Sequence, residues 1–260
     1  MKVFHIPKRY YLPITLLFWI GLWCILSAFF IDPFFLPAPW VVLKALWALM
    51  KTGDFWLTVL LSISRILLGI LLALTVGSLL AALTVKSPLL HHLFSPVLTL
   101  CKATPVASVI FLIWLWVGDD QVPILIAFTM ALPIIWGNVR QGILQTDQKL
   151  LEMGRVFQLS KKDLLFSIRI PSLFPYFLAA CRSAIALAWK AGIAAEVLCQ
   201  PKHSIGDGIY KGKIYLETEN IYAWTLIVVL ISVLIEWGAL ALLKKAQKHT
   251  YTEEKAHDPT

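Results

Sequence analysis

Apolar positions in this chain neither alternate nor keep to one helical stripe; they fill whole stretches. About six of these, 12–31, 57–85, 89–117, 122–143, 173–198 and 222–243, carry few charges. A helix of about 20 apolar residues crosses the roughly 30 Å of bilayer hydrocarbon, so each is long enough to span. Lipid offers no hydrogen-bond partner to an open backbone, and no alternating segments of a barrel appear, so the stretches are predicted to be helices. The fold class that follows is an all-α polytopic membrane protein with about six transmembrane helices. Its spanning domain covers 12–243, between a short tail at 1–11 and a polar, frayed tail at 244–260.

The segments between the stretches are patterned differently. After Pro37-Ala38-Pro39, the residues Leu43, Leu46, Trp47 and Met50 share one face of a helix and Lys44 and Lys51 lie off it, which predicts an interfacial helix stopped by Gly53. The segment 200–221 contains GDGIYKGK, which invites a phosphate-loop reading. The spacing fails, because Asp207 stands where the first glycine belongs and Ile214, not Ser or Thr, follows Lys213. The segment 150–171, LLEMGRVFQLSKKDLLFSIRIP, is the most charged interruption. Leu150, Met153, Gly154 and Phe157 recur there at helical spacing, with Glu152 and Arg155 off that face. Ser160 and Asp163 then resemble a capping box, ahead of a second apolar face at Leu164, Leu165 and Ile168 that Pro171 is expected to end. Two short helices with a bend at 158–160 are predicted, and a unit that short needs something to pack against. A partner surface and the bilayer surface are the two alternatives.

Composition sharpens this picture. The chain is 59% hydrophobic and 15% charged, with eleven Trp, and its mean hydropathy is +0.77; soluble domains carry about a quarter charged residues. The first stretch follows Lys2, Lys8 and Arg9 as a secretory signal would, but its apolar run continues past Leu26-Ser27-Ala28, so an uncleaved anchor is expected. With the N-terminus inside, Lys2, Lys8, Arg9, Lys86, Arg140, Lys149, Arg155, Lys161, Lys162, Arg169, Lys244, Lys245, Lys248 and Lys255 fall on the inner side. Only Lys44, Lys51, Lys202, Lys211 and Lys213 fall outside, so both termini are expected in the cytoplasm. That distribution accounts for the net charge of +8 without a nucleic-acid partner.

Candidate chemistry is sparse. Cys24, Cys101, Cys181 and Cys199 show no metal spacing and read as small buried hydrophobes. His91, His92 and His203 read as interfacial, and Trp114, Trp116, Tyr222 and Trp224 as an aromatic belt at the outer span ends. Charges inside spans cost a few kcal/mol unless paired or facing water, which singles out Arg65, Lys102, Arg182, Lys190, Glu196 and Glu236. Arg65 and Glu196 lie at similar depth and suit a structural ion pair, with substrate binding as the alternative. Lys102, between Pro96 and Pro105, suits a helix broken on both sides that presents its charge to a cavity, or else a snorkelling lysine. Arg182 and Lys190 share a face and would favour an anionic solute if they line a pathway. No nucleophile with a base and no metal-ligand set occurs within the spans, so no enzyme is expected.

The 150–171 segment resembles the cytoplasmic EAA loop of ABC-importer permeases, whose pattern is Glu-Ala-Ala-x-x-x-Gly followed, after a longer gap, by Ile-x-Leu-Pro. Here Glu152-Met153-Gly154 occupies the first triplet, Gln158 the glycine and Ile168-Arg169-Ile170-Pro171 the end, so that Gly154 and Gln158 depart from the pattern. The likeness continues through Leu36-Pro37-Ala38-Pro39, Ser62-Ile63-Ser64-Arg65, Ala188-Trp189-Lys190 and Ala195-Glu196, and is strongest to the nitrate, sulfonate, taurine and bicarbonate group, which also includes carriers of thiamine-precursor pyrimidines. The resemblance implies a type I importer permease in the bacterial inner membrane, working as a homodimer with a pair of cytoplasmic ATPase subunits and an extracytoplasmic solute-binding protein. ATP and Mg would belong to the ATPase, with no cofactor in this chain. The 147–171 loop would couple to that ATPase through Glu152, Met153, Gly154, Arg155, Phe157, Gln158, Leu159, Ile168 and Pro171. A self-sufficient secondary transporter or channel that uses the in-span charges is the alternative from a different class.

Overall fold

The computed structural model describes residues 11–29 and 34–256. The expected basic N-terminal tail with Lys2, Lys8 and Arg9, and residues 30–31 of the first expected span, lie outside the described residues, as do the side chains of Lys244, Lys248 and Lys255. Every regular element among the described residues is a helix: α1 (Tyr11–Phe29), α2 (Pro39–Met50), α3 (Gly53–Lys86), α4 (Pro88–Ala103), α5 (Val106–Trp114), α6 (Val122–Leu144), α7 (Gln148–Val156), α8 (Lys161–Asp163), α9 (Ile170–Cys199), α10 (Ile205–Ile214) and α11 (Thr218–Ala256). A π-helical turn, Leu164–Arg169, joins α8 to α9.

The core is α6 held between α3 and α9. Small residues recur every four positions on the facing surfaces, Gly69, Ala73, Gly77 and Ala81 on α3 and Ala180, Ala184 and Ala188 on α9, and all are buried. In lipid, helices gain little from hiding apolar surface and associate by close backbone approach, which such small stripes permit. Gly69 shows how close: a Cβ there would stand 2.3 Å from the carbonyl oxygen of Ile124.

Four helical segments, 53–86, 122–144, 161–199 and 218–241, are long and apolar enough to cross a membrane, and α4 with α5 makes a fifth if the bent pair counts as one span. The six expected spans are therefore not all present as such. The first is represented by α1, whose 19 residues reach about 28 Å at 1.5 Å per residue. The third is broken, with α4 and α5 meeting at 108°. The break falls at Thr104-Pro105, where Thr104 takes an extended conformation (ψ 133°) and proline supplies no N–H. Pro96, expected to break the same helix, lies inside α4.

Three further expectations are corrected. Pro171 does not end a helix. The π turn before it, in which the Ile170 N–H reaches the Leu165 carbonyl, places Pro171 in the first turn of α9, where its missing N–H is not needed, and 161–199 runs as one rod. Gly53 begins α3 instead of stopping α2, and on α2 it is Val42 that is buried while Leu43 and Trp47 are exposed. α11 continues as helix to Ala256, past the expected fraying at Lys244, since no glycine or proline stands between Lys244 and Ala256.

Candidate functional site

The loop after α6 is built as a propped hairpin. Asp147 caps α7, its Oδ1 accepting from the Lys149 N–H at 2.8 Å. At the other end the Leu159 N–H bonds to the Gly154 carbonyl (2.9 Å) and the Gln158 N–H to that of Arg155 (3.0 Å), the paired bonds of a Schellman stop. This stop needs a left-handed residue, and Gln158 supplies it at φ 56°. Ser160 then restarts the helix by accepting from the Asp163 N–H. Gly154, where the loop pattern has alanine, is the contact point of the hairpin, for a Cβ there would lie 3.1 Å from Ile168 Cδ1 and 3.3 Å from Leu164 Cδ1. The single face expected from spacing is divided. Leu151, not singled out from the sequence, is buried with Gly154 against the π turn, whereas Leu150, Met153 and Phe157 are exposed together with Val156, Glu152 and Arg155. Leu159 is exposed too, Ile168 is buried, and Pro171 stands behind them at the start of α9.

Glutamine in the left-handed region costs about 1 kcal/mol relative to glycine. Gln158→Gly is therefore expected to raise loop stability by about that amount, and Gln158→Val to lower it, because a branched side chain tolerates the region poorly. Thermal unfolding of the purified protein checks both signs; a destabilising Gly variant would contradict the geometry.

The in-span charges separate into a stripe and a knot. On α9 the exposed positions Pro175, Ala179, Arg182, Ser183, Leu187, Lys190 and Ala194 line one side, opposite the face buried against α6. Arg182 Nε donates to Glu236 Oε1 of α11 at 2.7 Å, while Lys190 is exposed and forms no ion pair among the described residues. Lys102 is also exposed, just before the α4–α5 break, with its Nζ beside Gly137 of α6.

The knot lies at the far end of the bundle from the hairpin. Glu196 is buried on α9, and its Oε2 accepts from Ser62 Oγ of α3 (2.8 Å) and from the Gly206 N–H at the start of α10 (3.2 Å). Ser62 Oγ in turn accepts from the Ile205 N–H (2.9 Å). Arg65 Nη1 stands 3.9 Å from Glu196 Oε1, and the guanidinium donates to Asp120 Oδ1 (2.6 Å) and to the carbonyls of Lys202 (3.0 Å) and His203 (3.3 Å). A carboxylate at the N-terminus of α10 meets unpaired N–H groups and the positive end of the helix dipole. The knot thus pins the 200–204 loop and α10 onto α3 and α9. Beside it opens a cleft of about 540 Å³, lined among others by Asp54, Phe55, Asp207, Lys211, Glu217 and Trp224. Trp224, expected in the aromatic belt, is buried and stacks on Phe55 at 5.3 Å. Ser62 stood in the quoted Ser62-Arg65 stretch, but nothing in the sequence marked its hydroxyl, Asp120 or Gly206 as partners of Arg65 and Glu196.

Among the described residues no group of His, Cys, Asp or Glu could hold a metal ion, and the four cysteines are free.

The family model described as "Binding-protein-dependent transport system inner membrane component" matches residues 66–247. The nitrate import permease protein NrtB of Synechococcus elongatus is 32% identical over 189 residues, 65% of this chain and 67% of that protein. The taurine transport system permease protein TauC of Escherichia coli is 22% identical over 230 residues, 86% and 83% of the two chains. The bicarbonate transport system permease protein CmpB of Synechocystis is 34% identical over 163 residues, 62% and 58%. A match that runs from within α3 to within α11 takes in the core, the hairpin, the stripe and, of the knot, Glu196 and Gly206, while Ser62 and Arg65 lie just ahead of it. The chain accordingly belongs to the binding-protein-dependent transport system inner membrane components: it is a multi-helix permease subunit of an ABC importer, with the type I importer fold, and not an enzyme.

Proposed function

We propose that this permease carries a small anionic solute, of the kind its relatives' names describe (nitrate, taurine, bicarbonate), and that the 147–171 hairpin couples it to cytoplasmic ATPase subunits. The observation that carries the coupling is the exposed group Met153, Val156 and Phe157 beside Glu152 and Arg155, on a helix whose other face is already buried on its own π turn. An apolar knob with a charged rim is what a helix laid into a protein groove presents. A helix lying on lipid would instead turn its basic residues to the headgroups along the whole apolar face.

The anion preference is supported by Lys190, Arg182 and Lys102, which are exposed within apolar helices, where a charge facing lipid costs several kcal/mol. A second copy of the chain, set against the α9 stripe, would enclose them in a shared water-filled path. ATP-driven closure of the ATPases would then move the hairpins and switch the path between outward and inward openings, with an extracytoplasmic binding protein delivering solute. Arg65 and Glu196 hold the outer end together and take no part in binding.

This reading puts the hairpin in the cytoplasm and α10 outside. Cysteines introduced at positions 161 and 211, in a protein stripped of its native cysteines, are expected to react differently with an impermeant reagent on intact cells: position 211 is labelled and position 161 is not. Labelling at 161 would overturn the orientation and the ATPase assignment with it.

A further inference from the structure

At the hairpin end of the bundle, the start of α4 and the end of α6 form a cluster that the transport reading does not use. His91 stacks on Trp136 with ring centroids 5.9 Å apart and planes at 19°. Trp136 is fixed from behind, its Nε1 donating to the buried Thr84 Oγ1 of α3 at 2.9 Å. Arg140 lies one turn beyond Trp136 on the same face of α6, which brings its guanidinium to the same corner. Two nitrogen atoms here, His91 Nδ1 and Arg140 Nε, are buried without any hydrogen-bond partner. Buried polar groups are paired in nearly all folded proteins, and leaving one orphaned costs about 1–3 kcal/mol. An arginine Nε–H can only donate, so the missing partner is an acceptor.

The cluster opens on a groove of about 440 Å³, lined by His91, His92, Ser95, Pro96, Thr99 and Leu100. The groove therefore combines imidazole and hydroxyl groups with an adjacent arginine, and the exposed Leu89, Leu93, Val97 and Leu100 continue away from it along α4. An arginine next to imidazole groups suits an oxyanion, and the apolar track along α4 suits a hydrocarbon chain.

We propose that this corner is a binding site for a phosphate-type oxyanion, presented by the headgroup of an anionic phospholipid whose acyl chain lies along α4. Basic pockets between helices near a membrane surface recognise such headgroups. The interaction would tie α4, and through it the broken α4–α5 span, to α6 directly above the hairpin, independently of which solute is carried.

The test uses the full-length chain in detergent micelles doped with phosphatidylglycerol, with phosphatidylcholine, or with inorganic phosphate alone. Retained lipid is counted by native mass spectrometry and thermal stability is read in parallel. His91→Phe keeps the stacking ring and removes Nδ1; Arg140→Gln keeps most of the side-chain length and removes the guanidinium. The wild-type chain is expected to retain phosphatidylglycerol about tenfold more tightly than either variant, with no such difference for phosphatidylcholine. Stabilisation by inorganic phosphate that the variants lose, with phosphatidylglycerol binding unchanged, would overturn the lipid assignment. Variants that match the wild type with both probes would overturn the site, leaving water as the partner of the two nitrogens. The two substitutions act on different helices, so a folding failure in one leaves the other to decide.

Discussion

Gly206→Ala is expected to destabilise the protein by about 3–5 kcal/mol, the cost of breaking a buried ionic network on one side. The argument is steric first. A Cβ at position 206 would stand 2.3 Å from the backbone of Glu196 and Val197, and backbone atoms cannot yield as a side-chain tip can. α10 must therefore lift from α9, which removes the Gly206 N–H from Glu196 Oε2 and the Ile205 N–H from Ser62 Oγ. The carboxylate is then left buried with Ser62 and a distant Arg65. Ser62→Ala, which removes one hydroxyl and keeps the backbone in place, is expected to cost only about 1–3 kcal/mol. Thermal unfolding of the two variants gives the order, and a Gly206→Ala protein as stable as the wild type would mean that the knot does not hold the outer loop. The proposed docking of the hairpin on the ATPase, at the opposite end, should survive in both of these variants if they still insert.

The second large effect is functional. Phe157 is 72% exposed at the tip of the hairpin, so Phe157→Asp should leave folding intact while weakening ATPase docking by about 30- to 1000-fold, the range expected for an aromatic anchor lost from an interface centre. Glu152→Lys, which reverses the charge at the acidic position of the loop, should act in the same direction. Leu151→Asp is the contrast: Leu151 is 8% exposed, so a charge there should collapse the hairpin itself and lower thermal stability as well. Uptake in cells, read together with membrane abundance, separates the two classes. Normal uptake by Phe157→Asp would remove the tip from the interface.

What the sequence disclosed and what it hid divide along physical lines. The loop's helix–bend–helix form was readable because it rests on local chemistry: a Ser160 cap, apolar spacing, and one position, Gln158, forced by its neighbours into a left-handed turn. Four of the six expected spans were readable from their length, whereas the first is met only by the shorter α1 and the third is overridden by one residue. Pro105 breaks the third by 108°, while Pro171 and Pro96 break nothing, and only the surrounding backbone decides which. The division of the hairpin face between Leu151 and Met153 depends on where the π turn lies, which no periodicity reveals. The knot was half legible. Charges at equal depth pointed to Arg65 and Glu196, but the Ser62 hydroxyl meets Glu196 across 134 positions, and Asp120 and Gly206 carry no local mark of their role. His91 read as an interfacial residue because its neighbours Trp136 and Arg140 belong to another helix.

The central claim is that the exposed tip of the 147–171 hairpin touches the ATPase. A photo-crosslinking amino acid placed in turn at positions 153, 157, 151 and 210 of the full-length chain, in membranes that contain the assembled transporter, tests it most directly. Crosslinks to the ATPase from 153 and 157, and none from the buried 151 or from 210 on α10, are the predicted result; crosslinks to the ATPase from 210, with none from 153 or 157, would contradict it.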